Sequence, residues 1–369
     1  MKVALVHDYL SSYGGAERVL EALHELFPQA PIYTSLLDLR GLGPNTKEIQ
    51  QWDIRCSWLQ RVPGARYLLS PLRIFAPLMF ESFDLSDYDL VISSSAAYFS
   101  KAVITRPGAL HIAYIHTPPR YLYGYATAFN YKKNPIIRFL GETASHFLRI
   151  VDFEVSQRPD ILVANSQNVA ARIKKFYRRE AVVIYPPVDI EKFKSQNSKE
   201  GYYLSLGRLV RGKGTEIIVE ACTKLNLSLK VAGSGPELAR LKSLAGETIE
   251  FVGNVSDEER VQFLAGAKAT IVASEDEDFG IVPVESMAAG TPVIAVRAGG
   301  FLETVVEGKT GEFFEGEDGQ VTVESLMELL KDFDPSKYQA EDLKKQAAKF
   351  SKERFKKEIL DLVAKNLKG

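Results

Sequence analysis

Four stretches of the chain carry side chains whose types and spacing could do chemistry. In Gly207-Arg208-Leu209-Val210-Arg211-Gly212-Lys213-Gly214, Arg208 and Lys213 stand five residues apart in a glycine-rich run. A guanidinium fork and an ammonium point charge directed at one spot suit a pyrophosphate. In Ser274-Glu275-Asp276-Glu277-Asp278-Phe279-Gly280-Ile281-Val282-Pro283-Val284-Glu285, Glu277 and Glu285 stand eight apart. A carboxylate accepts two hydroxyl hydrogen bonds, which holds a sugar or ribose diol. Peptide N–H groups near Phe279, Gly280, Ile281 and Val282 are then free to face a phosphate. His116, in Ala113-Tyr114-Ile115-His116-Thr117-Pro118-Pro119-Arg120, can donate to a sugar hydroxyl or a leaving oxygen near neutral pH. Gly14-Gly15, ahead of a helical pattern, lets backbone N–H groups approach an anion. Each stretch also has an ordinary alternative: a solvated basic loop, an N-capped acidic loop, a structural histidine, a flexible helix start. Asp276-Glu277-Asp278 matches a D-x-D metal triad, but Arg208 and Lys213 can supply the positive charge a metal would, so no metal is expected.

The elements that must position these residues follow from the hydrophobic pattern. Strands are expected at Lys2–Val6, Asp89–Ser93, Leu110–Ile115, Asp160–Ala164 and Val182–Tyr185, with a helix over Ala16–Phe27. They are near-continuous apolar runs, as in a parallel sheet buried on both faces. Tyr185-Pro186-Pro187-Val188-Asp189 interrupts the series as a stiff connector and a hinge. Strands at Tyr202–Leu206, Leu227–Ala232, Glu250–Val252, Ala269–Ala273 and Pro292–Val296 then begin a second series. Strand–helix alternation twice over predicts an α/β protein of two doubly wound, Rossmann-like units facing a cleft. The boundaries expected are 1–187 and 188–350, with a helical tail from about 351 to 369 returning to the first unit. In such folds ligands gather at the carboxyl ends of strands, where the four stretches lie.

Composition narrows the classes. The 369 residues are 46% hydrophobic and 25% charged, an ordinary globular mix. Lys plus Arg (46) nearly cancels Asp plus Glu (47), which argues against a nucleic-acid binder. No run approaches a membrane span. His7 and Asp8 interrupt the first apolar run, so MKVALVHDYL does not read as a signal peptide. Cys56 and Cys222 make neither a disulfide framework nor a zinc pattern. A cytoplasmic protein without a bound cofactor is expected.

Taken together, these motifs resemble the retaining glycosyltransferases of family 4, with the GT-B fold. Gly207-Arg208-Leu209 with Lys213-Gly214 is similar to that family's Arg/Lys pair. Val231-Ala232-Gly233-Ser234-Gly235-Pro236 resembles its G-x-G-P turn and Phe251-Val252-Gly253 its base-side strand. Glu277 to Glu285 resembles its E-x7-E motif, and Met287-Ala288-Ala289-Gly290-Thr291-Pro292-Val293-Ile294-Ala295 the helix-to-strand continuation. His7-Asp8-Tyr9, Gly14-Gly15-Ala16-Glu17 and His116-Thr117-Pro118-Pro119-Arg120-Tyr121 resemble bacterial mannosyl- and rhamnosyl-type members that build surface polysaccharides.

The resemblance implies a role for each position. Arg208 and Lys213 bind the donor diphosphate and stabilise its charge as the sugar leaves. Glu277 holds the donor sugar, and Glu285 the ribose. Peptide N–H groups at Phe279, Gly280 and Ile281 complete the cradle. His116 contacts the sugar from the first unit, Gly15 lies under the diphosphate, and the base is selected near Gly253 to Val255. The donor implied is a GDP- or UDP-linked sugar, GDP-mannose first. The acceptor implied is a glycan or a polyprenyl-diphosphate-linked sugar. Transfer is retaining and metal-free, with the leaving phosphate taking the acceptor's proton, unlike the paired carboxylates of glycosidases. Pro283 falls in a helix first turn, where proline is tolerated.

Charge is uneven. Residues 101–149 hold seven bases (Lys101, Arg106, Arg120, Lys132, Lys133, Arg138, Arg149) and one acid, Glu142, while residues 271–320 hold eleven acids and two bases. Trp58-Leu59, Tyr67-Leu68-Leu69 and Leu72 to Phe80 are mixed with Arg55, Arg61, Arg66 and Arg73. That pattern suits either packing on the sheet or peripheral contact with an anionic membrane, here the inner face of the plasma membrane. Other readings of the same architecture are a nucleotide-sugar epimerase, a phosphorylase, or a non-catalytic scaffold that binds nucleotide sugars.

Overall fold

The computed structural model describes residues 1–43, 46–125, 135–193, 199–315 and 320–367. Lys132 and Lys133, and most of the polar stretch 194–199, lie outside the described residues. The described residues up to Pro187, with those from Phe355 onward, form one compact unit, and those from Val188 to Arg354 form another.

The first unit is built on seven parallel strands: β1 (Val3–His7), β2 (Ile32–Thr34), β3 (Ile54–Cys56), β4 (Leu90–Ser95), β5 (Leu110–Ile115), β6 (Ile161–Ala164) and β7 (Val182–Val183). Their order across the sheet is β3-β2-β1-β4-β5-β6-β7. It reverses between β1 and β4, the place where a doubly wound sheet opens a crevice at its carboxyl edge. Side chains alternate along each strand. Leu5, Ile92 and Ile112 therefore enter one core cluster with Val19, Leu20 and Leu23 of the helix Gly15–Leu26. Ala4, Val6 and Val91 enter the opposite cluster with Met79 and Phe80. The last helix, Lys352–Asn366, buries Phe355, Ile359 and Val363 in the first cluster. Their i, i+4, i+8 spacing makes one helical stripe, which gives the sheet its cover on that face.

The second unit has six parallel strands: β8 (Tyr203–Leu206), β9 (Leu229–Ala232), β10 (Ile249–Gly253), β11 (Ala269–Val272), β12 (Val293–Val296) and β13 (Gly311–Phe314). Their order is β10-β9-β8-β11-β12-β13, so the reversal falls between β8 and β11. The loops after these two strands are 207–214 and 273–280, the two richest in charged chemistry.

Differences from the sequence reading are local. Strands β2, β3 and β13 are additional, and three or four residues long. β7 spans two residues rather than four, because the chain turns into Pro186-Pro187, which has no N–H to give a ladder.

Candidate functional site

Three loops of the second unit are stitched together at the reversal point. The N–H of Gly207 donates to the carbonyl of Ala232 (3.0 Å), that of Gly233 to Gly253 (2.7 Å), and that of Leu209 to Ser234 (2.9 Å). Gly233 has φ 133°, and a Cβ there would stand 1.9 Å from the carbonyl oxygen of Gly207. Only glycine permits that approach. Gly214 (φ 66°) caps the helix Thr215–Lys224, and a Cβ there would meet the carbonyl of Ala273 at 2.3 Å. The β8 and β11 loops are further joined by Ser274 Oγ, which donates to the carbonyl of Gly212 (3.0 Å).

This stitching sets Lys213 Nζ 2.6 Å from Glu277 Oε2. Their side chains keep 32% and 20% of their exposure, so the pair sits in reach of solvent. The backbone of Glu277 is held as well, its carbonyl accepting from the N–H of Gly300 (2.9 Å). Arg208 is exposed and makes no ion pair among the described residues. The two cations thus lie on one loop but in different states: Lys213 holds a carboxylate, and Arg208 stands open.

Behind the acidic loop, Gly280 (φ 91°) caps the helix Ile281–Ala288. The N–H groups of Ile281 and Val282 lie in its first turn, without carbonyls of the helix to meet, and Pro283 has none to orphan. The charge development a helix start favours is negative. Phe279 is buried and packs edge-on against Phe350 (5.3 Å).

Glu285 is fully buried within that helix. Its Oε2 accepts from Nε of Arg260 at 2.9 Å and also from Nη2. Arg260 belongs to the helix Asp257–Gly266, which begins with a Ser256–Glu259 capping box. A buried carboxylate needs such a partner, since an unpaired charge in the interior is expensive. Gly253 (φ 77°) and half-buried Val255 lie just before that helix.

In the first unit, His116 follows β5 by one residue and faces the way Tyr114 does; the two rings are 5.2 Å apart. Ser94 pairs in register with both His7 and Tyr114. Ser94 Oγ consequently meets His116 Nε2 at 2.8 Å and His7 Nδ1 at 3.1 Å. Burial, then the neighbouring His7, push the His116 pKa down to about 4, so the ring is neutral at physiological pH. Gly14 is extended and caps the helix Gly15–Leu26, its N–H donating to Glu17 Oε2 (2.8 Å); Gly15 is exposed. Asp8 is buried, and its carboxylate accepts four backbone N–H groups, from Ala96 (2.7 Å), Ala97 (2.7 Å), Tyr98 (2.9 Å) and Ser100 (2.9 Å).

Arg260, Ser94 and the buried network around His7 are absent from the sequence reading. For His7 a signal exists, since it follows core-facing Leu5 by two residues. Gly14-x-x-Glu17 has the spacing of a capping box. Arg260 meets Glu285 across 25 residues of sequence, which no local pattern announces. The bases counted over 101–149 are not all alike. Lys101 is buried and pairs with buried Asp152 (2.6 Å), which also accepts from the Tyr123 hydroxyl (2.8 Å). Arg106 pairs with Asp89 and Arg138 with Glu142.

Comparison with known proteins gives two family matches. Residues 13–192 match the model described as Glycosyltransferase Family 4, and residues 188–350 the model described as Glycosyl transferases group 1. A D-inositol 3-phosphate glycosyltransferase of Corynebacterium urealyticum is 30% identical over 248 residues, 58% of this chain and 58% of that protein. An uncharacterized glycosyltransferase of Methanocaldococcus jannaschii is 28% identical over 199 residues, 53% of this chain and 56% of its own length. The match thus spans less than two thirds of these relatives. Among solved structures, Anabaena HepE in complex with UDP and glucose superposes with a TM-score of 0.70 at 19% identity, covering 99% of each chain. A sucrose-phosphate synthase from Thermosynechococcus elongatus does so with a TM-score of 0.71 at 17% identity, again over 99% of each. At such identities the likeness is one of fold, and the fold is GT-B.

Proposed function

Since the chain belongs to the glycosyltransferases of group 1 and family 4, we propose that it moves a hexose from a nucleoside-diphosphate donor to a glycan or polyprenyl-diphosphate-linked acceptor. The observation that carries this reading is the Lys213–Glu277 pair at the β8/β11 reversal point. A cation for the leaving diphosphate and a carboxylate for the sugar stand there side by side, next to a helix start. Arg208 adds the second cation, Glu285 the ribose contact, and the N–H groups of Ile281 and Val282 a seat for phosphate oxygens. In the first unit, His116, Gly14 and Gly15 are the residues we propose for sugar and diphosphate recognition. Phe279 and Gly280 shape the sugar end of the cradle; Gly253 and Val255 flank the base.

The mechanism is retaining transfer without a metal. As the glycosidic bond to phosphate breaks, Arg208 and Lys213 take up the growing diphosphate charge, and Glu277 supports the positive charge left on the sugar. The leaving phosphate accepts the acceptor's proton on the same face. Donors to compare are GDP-mannose, the first choice, and UDP-linked hexoses, the latter supported by the UDP named with the Anabaena neighbour. The names of the curated relatives add inositol phosphate to the acceptors worth trying. A thermal-shift screen of nucleoside diphosphates and nucleotide sugars tests the reading, because a ligand bound only by the folded state raises its melting temperature. A flat response to every nucleotide would remove it.

A second reading concerns place. Residues 54–80 contain four arginines and no acid, and expose Trp58, Tyr67, Leu68, Ile74, Phe75 and Leu78. Arg61 is exposed and makes no ion pair among the described residues. Apolar side chains interleaved with arginine suit the headgroup region of an anionic bilayer. The first unit then docks peripherally on the cytoplasmic face, where a lipid-linked acceptor resides. Among the described residues no helix is long and apolar enough to cross a membrane.

A further inference from the structure

The first unit holds a guanidinium that the transfer mechanism leaves unused. Arg73 belongs to the short 3-10 helix Pro71–Phe75. Its Cζ lies 4.3 Å from the ring centre of Tyr121 and 5.8 Å from that of Tyr98. Tyr98 is fully buried and doubly tied: its hydroxyl donates to the carbonyl of Leu69 (2.6 Å) and its N–H to Asp8 Oδ2 (2.9 Å). Arg73 and Tyr121 are half-buried. The three side chains come from the crossovers after β3, β4 and β5. They therefore lie at the carboxyl edge of the sheet, where ligands of doubly wound folds gather.

Two polar atoms of this group, Arg73 Nε and the Tyr121 hydroxyl oxygen, are buried and meet no hydrogen-bond partner among the described residues. Buried polar groups are seldom left so. Arg73 also makes no ion pair among the described residues. Its neighbours in sequence differ, since Arg55 pairs with Asp53 (2.8 Å) and Arg66 lies 3.8 Å from Asp38. The carboxylates whose charge reaches Tyr121 are those of Asp152 and Asp8, and each is answered elsewhere. Asp152 holds Lys101 (2.6 Å) and the Tyr123 hydroxyl (2.8 Å), and Asp8 holds its four amides. Burial pushes the Tyr121 pKa up, so the hydroxyl keeps the proton it can donate. A guanidinium stacked on rings is ordinary packing when taken alone. Packing accounts for the stack, but not for two orphaned polar atoms and an uncompensated charge.

A tetrahedral anion answers all three. Phosphate oxygens accept from a guanidinium fork and a phenol together, and charge-assisted hydrogen bonds are the strong ones. We propose that Arg73, framed by Tyr98 and Tyr121, is a phosphate-binding site of the first unit, and that the phosphate it takes is the acceptor's. The first part stands on this cluster alone. The second rests on the transfer reaction proposed above. It narrows the acceptors to those that carry a phosphate ester, a lipid-linked diphosphate or a soluble sugar phosphate, and sets aside an uncharged glycan.

Titration calorimetry of the full chain with geranyl diphosphate and with inorganic pyrophosphate reads the site, with GDP and UDP in excess to fill the donor's own diphosphate seat. Arg73→Gln should weaken both probes by about tenfold or more, the loss of charge-assisted hydrogen bonds. Tyr121→Phe, which removes one oxygen, should weaken them about fivefold. Arg73→Lys keeps the charge without the fork and should recover part of the loss. Affinity for GDP and UDP should stay as it was, and in transfer the acceptor KM should rise with the donor KM unchanged. Tighter binding of geranyl diphosphate than of pyrophosphate identifies a lipid-linked phosphate, and equal binding a soluble one. Thermal unfolding of each variant reports damage to the fold, and Tyr121→Phe carries the test if Arg73→Gln does not fold. If the unaltered protein takes neither probe, or both variants take them undiminished, the site is overturned and Arg73 is a stacking group. A matching loss of GDP or UDP affinity overturns it too, since Arg73 then serves the donor. Phosphate binding that depends on Arg73, in a chain that binds no nucleotide, would instead remove the transfer reading and leave the site standing.

Discussion

Lys213 Nζ lies 2.6 Å from Glu277 Oε2. The cation proposed for the diphosphate is therefore already engaged by the carboxylate proposed for the sugar. Binding of a nucleoside diphosphate must draw Lys213 away from it. Glu277→Gln is expected to bind the free nucleoside diphosphate a few-fold more tightly, because the competing charge is gone. Transfer should fall by 100-fold or more as the sugar loses its carboxylate. Lys213→Ala should weaken diphosphate binding by about tenfold or more, the worth of one charge-assisted hydrogen bond. Titration calorimetry with GDP and UDP reads both, and weaker binding by Glu277→Gln would contradict the exchange.

The Arg260–Glu285 pair makes a different claim, about stability first. Arg260→Met takes a guanidinium away from a carboxylate that is fully buried, at an expected cost of about 3 kcal/mol. Adding Glu285→Gln should restore much of it, since the two sites share one interaction. Denaturant unfolding measures each step. The double variant should also lose discrimination between a nucleotide and its 2′-deoxy form. Equal stability of single and double variants would show that the pair is not coupled.

Two histidines make the first unit sensitive to acid. His116 is lowered to about 4 and fully buried His111 to about 3, both chiefly by burial. Above pH 6.5 neither is protonated, folded or unfolded, and their neutral burial costs nothing with respect to protons. As pH falls below 6.5, the unfolded chain takes up protons at both positions and the folded chain does not. Stability should therefore drop by ~1.4 kcal/mol per pH unit for each histidine. Urea unfolding at pH 6.5 and 5.0 shows the slope. His111→Gln should remove about half of the histidine share, leaving the carboxylate contribution as the remainder.

Membrane docking predicts co-sedimentation with phosphatidylglycerol vesicles and not with phosphatidylcholine. The interaction should fade in 1 M salt, where screening acts over about 3 Å rather than about 10 Å. Phe75→Ser with Leu78→Ser should weaken it without altering transfer to a water-soluble acceptor. Binding that ignores both salt and lipid charge would dismiss the surface.

What was legible in the sequence was what repeats locally. Near-continuous apolar strands and the glycines after β8 and β9 announced the two sheets and their loops, because chain direction and close backbone approach leave marks on neighbouring residues. Ile32–Thr34 and Ile54–Cys56 were not legible, since three residues are too few to show a period. The partners of Glu285 and His116 were hidden for another reason. Arg260 arrives from another helix, and Ser94 from an adjacent strand whose register with β1 exists only once the sheet has formed. Charge counting says nothing of place: Lys101, one of the seven bases over 101–149, lies inside, against Asp152. A sum over a window cannot tell an inward lysine from an outward one.

The capture of four amides by Asp8 bears on how this chain could be re-tailored. Residues 96–100 follow β4, yet their shape is dictated from the far end of β1, some ninety positions earlier. A segment transplanted there from a relative would arrive with its amides but without their anchor. Any exchange of that stretch has to carry position 8 along, as part of one cassette.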